Sequence, residues 1–373
     1  MRALLMILLL LPSLASAQRD AAGFRLAEGP WDWDFPRDHG AHPEFGTEWW
    51  YYTGSLVDTN DHRFGYELTF FRVGLRPDHV ASPSPWRAKD LILAHFAVTE
   101  VDWERFHLRE RSQRAAAGMA GADSTRFDVW VGDWRAHQRD DGVFVLRARE
   151  DGLGIDLELR ALRPPVLHGD EGLSYKVSDR SQASYYYSLP RLQTSGTLTI
   201  DGDPRPVSGM TWMDQEFFSG ETPREGFSWD WFSARFADGR DLMFFRVRRG
   251  DRTDVPKGTV VEPDGTVRPL DTTGATFEPG RTWTSPWTEA TYPVTWTVTF
   301  PAEDARLVVT ALLDEQEVHA EETVGFSYWE GLSRYEGTFG GEAVLGEGYV
   351  ELTGYDPVSR ARAAARTEDP SSR

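Results

Sequence analysis

Two carboxylates spaced two residues apart occur in the segment Trp212-Met213-Asp214-Gln215-Glu216, and they are candidates for acid–base chemistry. On a β-strand, side chains at positions i and i+2 point to the same face and lie about 7 Å apart. Two acids in one apolar pocket repel each other, which separates their pKa values and produces a general acid and a base. The alternative is a surface strand end where both acids are solvated.

A third catalytic candidate is Asp230, which lies between two indoles in the segment Trp229-Asp230-Trp231. A carboxylate among apolar residues is unusual unless a partner balances its charge. Asp230 is therefore either a catalytic acid or one half of a structural ion pair with an arginine such as Arg235 or Arg246. The same motif of an acid beside an indole returns near the C-terminus in Tyr328-Trp329-Glu330-Gly331.

Four consecutive aromatic residues follow a carboxylate in Glu48-Trp49-Trp50-Tyr51-Tyr52, a pattern typical of a β-strand. Glu48, Trp50 and Tyr52 share one face, and this strand is either a well-packed core strand or one wall of a ligand cavity. A lone histidine in an apolar strand is more often a core residue than a catalyst. We therefore count His95 among the ligand-binding candidates rather than among the catalytic ones. The predicted ligand-binding residues are Glu48, Trp50, Tyr52, His95, Tyr186, Trp212, Trp229, Trp231, Trp329 and Glu330.

Several catalytic signatures are missing from the sequence. It contains no Gly-x-Ser-x-Gly elbow, no His-Glu-x-x-His motif and no glycine-rich phosphate loop. The 9 histidines are scattered, and no Asp-x-Asp-x-Asp-Gly loop is present. We therefore expect a site without a metal or a cofactor.

The elements that must position these residues are short strands. Ile155, Leu157 and Leu159 alternate with Asp156 and Glu158, which indicates an antiparallel meander with one wet face. Similar strand patterns recur along the chain with turns at close spacing, and long helical periodicity is nearly absent. Many short strands with close turns predict an all-β protein built from sandwiches or barrels.

The turn-forming segment Asp201-Gly202-Asp203-Pro204 marks a predicted domain junction. We expect an N-terminal coil over 18–44, a first domain over 45–202 and a second domain over 203–357. Trp31 and Trp33 are candidates to pin the coil to the body of the protein. The tail over 358–373 is rich in Ala, Arg and Ser and is expected to be disordered.

Composition limits the partners. The chain of 373 residues has 40 basic and 59 acidic side chains, a formal charge of −19, which argues against nucleic acid and anionic membrane surfaces. Its 15 Trp, 12 Tyr and 21 Phe suit a β-rich protein with an apolar or ring-bearing ligand. With no Cys, the fold must be held by its core rather than by disulfides.

The N-terminal segment has the features of a secretory signal peptide. Arg2 precedes an apolar run over residues 3–11, and Ala15-Ser16-Ala17 forms a small-residue cleavage site. We expect residues 1–17 to be removed after Ala17, which places the protein in the periplasm or outside the cell. No later apolar run is long enough to span a bilayer, so no membrane anchor is expected.

Several motifs, in this order along residues 44–356, resemble the AttH-like, lipocalin-like family, which is distantly related to carotenoid 1,2-hydratases. The motifs are Glu48-Trp49-Trp50-Tyr51, His95-Phe96-Ala97, Tyr185-Tyr186-Tyr187-Ser188-Leu189-Pro190-Arg191-Leu192, Trp212-Met213-Asp214-x-Glu216, Trp229-Asp230-Trp231-Phe232, Asp238-Gly239-Arg240, Tyr328-Trp329-Glu330-Gly331 and Gly348-Tyr349-Val350-Glu351-Leu352-Thr353-Gly354-Tyr355. The resemblance implies two lipocalin-like antiparallel β-barrels packed together, with very little helix, in an exported bacterial protein. Some family members are encoded beside ABC-transporter permeases, so a permease is a candidate partner.

One position departs from that family pattern. Gln215 stands where relatives often have His or Arg, and a glutamine side chain does not donate a proton at neutral pH. The resemblance to hydratases implies an aspartate as proton donor, and Asp214 and Asp230 are the nearest candidates.

Two functions remain open at this stage. The first, which we favour, is a carrier that binds a lipophilic molecule in an aromatic-lined barrel and presents it to a partner such as a permease. The second is a cofactor-free hydratase, isomerase or hydrolase of an apolar, isoprenoid-like substrate. In the second case Asp214, Glu216 or Asp230 supplies the proton and aromatic rings stabilise a cationic intermediate.

Overall fold

The computed structural model describes residues 18–77, 84, 86–220, 227–249, 252–320, 323–357, 359 and 361. The predicted signal peptide, 1–17, and most of the predicted tail, 358–373, lie outside the described residues. Within the described part of the chain, no helix combines the length and the apolar composition that a membrane crossing requires.

The chain is nearly all β-structure. The strands of the first half are β1 Thr47–Asp58, β2 Arg63–Gly74, β3 Asp90–Glu100, β4 Arg105–Arg114, β5 Ala120–Ala122, β6 Asp128–Val131, β7 Trp134–Gln138, β8 Phe144–Glu150, β9 Leu153–Ala161, β10 Val166–Leu167, β11 Leu173–Tyr175, β12 Ala183–Ile200 and β13 Asp203–Phe218. The second half contains β14 Phe227–Phe236, β15 Asp241–Arg249, β16 Arg252–Thr253, β17 Lys257–Val261, β18 Val267–Pro269, β19 Thr276–Pro279, β20 Thr282–Thr284, β21 Thr291–Pro293, β22 Thr295–Phe300, β23 Ala305–Ala311, β24 Glu317–Val318, β25 Tyr328–Phe339 and β26 Glu342–Leu352. Short 3₁₀ helices span Arg37–His39, Val101–Trp103 and Pro301–Glu303.

The first sheet is an antiparallel, nearly closed barrel. Its strand order is β4-β3-β2-β1-β13-β12-β9-β8-β7-β6-β5, and β3 and β4 approach β5 and β6 where the ring closes. Alternating apolar residues fill the interior, among them Trp50, Tyr52, Trp134 and Leu157. Closing a sheet removes most of its unpaired edge, which explains why so many short strands form one body.

The second sheet curls into a half-barrel with the order β18-β17-β15-β14-β26-β25-β23-β22-β19. Aromatic residues such as Phe232, Phe244, Trp296 and Trp329 fill its concave side. The prediction of an all-β fold with two packed lipocalin-like domains is therefore confirmed, with the second domain more open than the first.

The predicted junction near Asp203 is a hairpin turn inside the first sheet. Asp201 and Gly202 have positive φ angles of 54° and 83°, and Ile200 pairs with Asp203 across this two-residue turn. Strand β13 then pairs with both β12 and β1, so the chain changes sheet only after Phe218. Turn composition identified a turn there, but it does not distinguish a hairpin from a domain linker.

The two sheets pack through their outer faces. A cluster of buried side chains from both sheets forms this interface, including Tyr51, Trp212, Trp231, Leu332 and Tyr349. Such convex-to-convex packing leaves gaps wherever the two curved surfaces diverge, and these gaps are natural positions for ligand sites.

The N-terminal coil packs against the first sheet. Trp31 and Trp33 contact the rings of Tyr185 and Phe217, so the two tryptophans do pin the coil to the barrel.

Candidate functional site

A cavity of about 250 Å³ lies between the two sheets. Its walls come from the outer faces of both sheets and are mostly aromatic and apolar. The lining residues are Thr47, Trp49, Tyr51, Glu67, Thr69, Phe71, Val73, Leu93, Lys176, Gln182, Ala183, Tyr186, Asp214, Glu216, Phe218, Ser219, Trp229, Trp231, Phe245, Val247, Val324, Phe326, Tyr328 and Glu351. The interiors of the sheets are filled by side chains, so the space for a ligand lies between the domains rather than inside a barrel.

Strand β1 presents Trp49 and Tyr51 to this cavity. The predicted ligand-binding residues Glu48, Trp50 and Tyr52 lie on the opposite face of the same strand, and all three are fully buried. Side chains alternate along a strand, so the faces were grouped as predicted, but the cavity adjoins the other group.

Glu48 takes part in a structural network instead. Its carboxylate contacts His42 at 2.7 Å, Arg72 at 3.1 Å and the Gln215 side-chain amide at 2.9 Å. Burial alone would raise the pKa of Glu48, but the charge of His42 and the hydrogen bonds around the carboxylate outweigh it, and the pKa is lowered. Gln215 therefore faces the coil and the barrel interior, and it does not reach the cavity.

Strand β13 carries Trp212, Asp214 and Glu216 on one face, as their spacing predicts, and both acids line the cavity. The Asp214 carboxyl accepts hydrogen bonds from the Trp212 indole (2.6 Å), the Tyr186 hydroxyl (2.6 Å) and the Ser188 hydroxyl. Burial raises the pKa of Asp214 to about 7, although these three donors favour the ionised form. Asp214 can therefore hold or release a proton near neutral pH.

Tyr186 connects Asp214 to the second sheet. Its hydroxyl donates to Asp214 and accepts a hydrogen bond from the Trp231 indole at 3.0 Å. Both Tyr186 and Trp231 line the cavity, and Trp229 stacks near Trp49 with a ring separation of 6.3 Å. The three predicted residues Tyr186, Trp229 and Trp231 thus line the same cavity as Asp214, and Tyr186 links Asp214 to Trp231.

Behind Asp214 lies a buried histidine that the sequence analysis did not select. His168 Nε2 is 2.6 Å from the Ser188 hydroxyl, and its Nδ1 is 2.8 Å from the Thr259 hydroxyl on β17. Burial lowers the pKa of His168 to about 3, so the imidazole is neutral. The resulting chain Thr259–His168–Ser188–Asp214 fixes one oxygen of the carboxyl and joins the two sheets.

The other carboxylate of β13 is neutralised locally. Glu216 pairs with Lys176 at 2.7 Å, and the ammonium lies 4.7 Å from the centre of the Tyr186 ring. The lysine thus balances Glu216 beside Asp214, and the two acids have different surroundings.

Further acids reach the cavity region from β2, β25 and β26. Burial raises the pKa of Glu67 to about 7 and that of Glu351 to about 8. Glu330 accepts a hydrogen bond of 2.7 Å from the Tyr51 hydroxyl, and burial together with the charges of Glu67 and Glu351 raises its pKa well above the usual range. Three carboxyl groups of the cavity lining, Glu67, Asp214 and Glu351, therefore have pKa values that burial raises.

Two predicted residues lie inside the second sheet, away from the cavity. Asp230 forms ion pairs with Arg246 (2.6 Å) and Arg248 (3.1 Å) and accepts a hydrogen bond from the Tyr355 hydroxyl. This is the structural pairing that the sequence left open as an alternative. Trp329 is part of the core of that sheet, and its indole donates to the Asp314 carbonyl.

His95 is fully buried behind the cavity wall. Its Nδ1 lies 2.7 Å from the Tyr328 hydroxyl and its Nε2 lies 2.9 Å from the Thr323 hydroxyl. Burial lowers its pKa to about 3. Tyr328, not His95, is the side chain of this pair that reaches the cavity.

Sequence reasoning missed Glu67, Glu351, His168 and the cavity face of β1. A signal for the two acids was present: each carboxylate has an apolar or aromatic residue on both sides, in Tyr66-Glu67-Leu68 and Val350-Glu351-Leu352. No comparable signal marks His168, because its partners come from distant strands. Within the described part of the chain, no group of three or more His, Cys, Asp or Glu side chains is arranged to hold a metal ion.

Comparison with known proteins identifies a matching family and similar solved structures. A family model described as AttH-like matches residues 26–355. The chain is similar to a crystal structure assigned as AttH from Nitrosomonas europaea, with 33% identity and a TM-score of 0.78 over 89% of this chain and 100% of that one. It shares its fold with kievitone hydratase from Nectria haematococca, with 16% identity and a TM-score of 0.68 over 90% and 95% of the two chains.

A curated protein, the dehydratase asqC of Emericella nidulans, is 25% identical over 211 residues. The match covers 53% of this chain and 57% of that protein, so the chain spans just over half the length of this relative.

Proposed function

The chain belongs to the AttH-like family, and we propose that it binds a lipophilic molecule between its two sheets and adds water to it or removes water from it. The observation that carries this proposal is Asp214, a buried carboxyl group with a pKa of about 7 in an aromatic cavity. A relative named as a dehydratase and a structural neighbour named as a hydratase support the same class of reaction.

In the hydration direction, protonated Asp214 gives its proton to one carbon of a double bond. The neighbouring carbon then becomes positively charged, and the faces of Trp229 and Trp231 stabilise this charge by cation–π attraction. Water adds to the cation and gives one proton to the Asp214 carboxylate, which leaves an alcohol and restores the protonated acid. The dehydration runs through the same steps in reverse.

The surroundings of Asp214 suit this role. Ser188 and Trp212 fix one carboxyl oxygen, so the group is held in a single orientation. Tyr186 bonds to the other oxygen and also lines the cavity, so the proton leaves through Asp214 Oδ2 or through the Tyr186 hydroxyl next to it.

A carrier without turnover is the second candidate. It is favoured by the lining of the cavity, which consists largely of aromatic and aliphatic side chains that bind an apolar body without specifying a reaction. Both candidates use the same cavity, so only the fate of the ligand distinguishes them.

The deciding experiment begins with native mass spectrometry and solvent extraction of the protein purified from its own cells. The extracted compound is returned to wild-type protein and to Asp214→Asn in H₂¹⁸O, and gain or loss of labelled water is measured. We expect wild type to interconvert the compound and its hydrated form, and Asp214→Asn to do so at least about 100-fold more slowly.

Asp156→Asn is the matched control, because it makes the same substitution in an exposed pair with Arg147, outside the cavity lining, and conversion should be unchanged. Unchanged conversion by Asp214→Asn would exclude Asp214 as the acid. A compound released unaltered by wild type would exclude the enzyme and favour the carrier.

We also propose that the protein is exported after cleavage behind Ala17 and delivers or receives its ligand at an inner-membrane ABC-transporter permease. The N-terminal sequence pattern and the resemblance to family members encoded beside permeases support this proposal. N-terminal sequencing of protein from the periplasmic fraction should begin at Gln18. An intact Met1 in cytoplasmic fractions would contradict export.

A further inference from the structure

A second carboxyl group of the cavity lining, that of Glu67, has one oxygen without a hydrogen-bond partner among the described residues. Its Oε1 accepts hydrogen bonds from the Thr69 hydroxyl at 2.9 Å and from the Tyr328 hydroxyl at 3.1 Å. Its Oε2 is buried and has no hydrogen-bond partner among the described residues. The side chain is 1% exposed and belongs to the lining of the cavity. An unpaired buried oxygen costs free energy, so this position is suited to a ligand atom.

Glu67 and Asp214 lie on opposite sides of Tyr51. In the register of the first sheet, Asp214 pairs with Tyr51, and Tyr51 pairs with Thr69, two residues from Glu67. Asp214 and Glu67 are separated by two inter-strand spacings across the sheet and by two residues along the strand. Their Cα atoms therefore lie about 12 Å apart. The Tyr51 side chain stands between them and bonds to Glu330 of the second sheet.

The supports of the two acids are alike. Asp214 is hydrogen-bonded to the Ser188 hydroxyl, which contacts His168, and His168 in turn contacts Thr259. Glu67 is hydrogen-bonded to the Tyr328 hydroxyl, which contacts His95, and His95 in turn contacts Thr323. Each chain of hydrogen bonds crosses between the sheets, so each carboxyl group is held in one orientation at one side of the cavity. Two oriented acids at this separation can contact two ends of one molecule.

We propose that Glu67 is a second ligand-anchoring residue whose Oε2 binds an oxygen function of the ligand, while Asp214 meets the opposite end. The ligand class that follows is an elongated, uncharged lipophile with a hydroxyl or carbonyl oxygen at each end. This proposal rests on the proposed function and specifies its substrate.

The charges around Glu67 favour an uncharged ligand. The charge of Glu67 raises the pKa of Glu330 and that of Glu351, so two acids of the second sheet lie close enough to interact with it. Among the described residues that line the cavity, Lys176 is the single Lys or Arg, and it is paired with Glu216. An anionic end group would therefore meet carboxyl groups without a cation to balance it.

Three rigid, rod-shaped probes test the proposal: trans-stilbene, 4-hydroxystilbene and 4,4′-dihydroxystilbene. Their dissociation constants are measured through energy transfer from the cavity tryptophans to the bound stilbene. In wild type, the second hydroxyl should tighten binding about tenfold relative to the single hydroxyl, as expected for a hydrogen bond to a buried carboxyl group. In Glu67→Leu this ratio should fall to about one.

Glu336→Leu is the matched control, since it makes the same substitution at an exposed position of β25 outside the cavity lining and should retain the tenfold ratio. Circular dichroism establishes that each variant is folded, and Glu67→Ala replaces Glu67→Leu if leucine does not fit. A ratio that persists in the Glu67 variant, or that is lost in Glu336→Leu instead, would overturn the proposal.

The same data separate this inference from the proposed function. If wild type binds none of the three probes, the lipophile-binding cavity itself is contradicted. If wild type binds all three with equal affinity, the proposed function stands and only the anchoring role of Glu67 fails.

Discussion

Buried carboxyl groups of this protein have pKa values that are shifted in opposite directions at two places. Asp214 and Glu67 line an apolar cavity, neither forms an ion pair with another described residue, and burial raises their pKa values to about 7. Glu48 is equally buried, but His42 and Arg72 contact it, and its pKa falls. For these three acids the presence of a cation partner, not the depth of burial, sets the direction in which the pKa moves.

A raised pKa makes the stability of the fold depend on pH. Glu67 has a pKa of about 7 in the folded protein against 4.5 as its ordinary value, so the folded state binds more protons between these two values. Its contribution to stability is therefore complete below about pH 4.5 and is lost as the pH rises through about 7. Glu67→Gln removes this dependence, since the amide does not ionise.

We expect Glu67→Gln to gain on the order of 2 kcal/mol relative to wild type between pH 5 and pH 8. Urea unfolding of both proteins at the two pH values measures this difference. Glu336→Gln, a surface substitution, serves as the control and should show no such change. Parallel pH curves for Glu67→Gln and wild type would show that Glu67 is ionised already at pH 5.

At the level of strands, the sequence predicted which side chains share a face, but not what each face packs against. The period-two pattern correctly grouped Glu48 with Trp50 and placed Asp214 with Glu216. Whether a face meets the cavity depends on which strands lie across from it, and that is set by pairing between distant segments such as β1 and β13. For the same reason the sequence revealed the hairpin turn at Asp201 but not that β13 completes the first sheet.

The buried network around Glu48 explains how a coil with one short 3₁₀ helix is held on the barrel. His42 lies in the coil, Arg72 on β2 and Gln215 on β13, and all three contact the same carboxylate. Removing one charge from such a network leaves its buried partners uncompensated, which typically costs several kcal/mol.

We therefore expect Glu48→Gln to lower the free energy of unfolding by about 3 kcal/mol. Limited proteolysis should at the same time cut the coil over 18–44 faster than in wild type. The exposed pair Arg334–Glu336 provides the control, because Glu336→Gln should cost less than about 1 kcal/mol. Intact stability with weakened ligand binding would instead assign Glu48 to the ligand.

For the molecule as a whole, the cavity exists only while the two sheets stay together. Asp241 of β15 is fully buried and pairs with Arg191 of β12 at 2.8 Å and with Arg163, beyond β9, at 3.0 Å. Arg191 also donates to the Phe236 carbonyl of the second sheet. These contacts, together with the aromatic cluster around Trp231, couple the sheets, so ligand binding and domain packing should stabilise each other.

Asp241→Asn should weaken this coupling by about 3 kcal/mol, because two partly buried guanidinium groups lose their counter-ion. Hydrogen–deuterium exchange in increasing urea, read by mass spectrometry, follows β8–β9 in the first sheet and β22–β23 in the second. In wild type we expect both regions to lose their protection from exchange in one step, at the same urea concentration. In Asp241→Asn the two regions should lose protection in separate steps, at different urea concentrations. Asp156→Asn alters an exposed pair with Arg147 within the first sheet and should leave one step.

A ligand that contacts both walls should restore the single step. A one-site ligand at 100 times its dissociation constant stabilises the folded state by about 2.7 kcal/mol, which is close to the coupling that Asp241→Asn removes. Saturating 4,4′-dihydroxystilbene should therefore bring the two exchange steps of the variant back together, because only the joined sheets bind it. If the probe stabilises one sheet and leaves the other unchanged, the ligand is held by that sheet alone and the cavity between them is not its site.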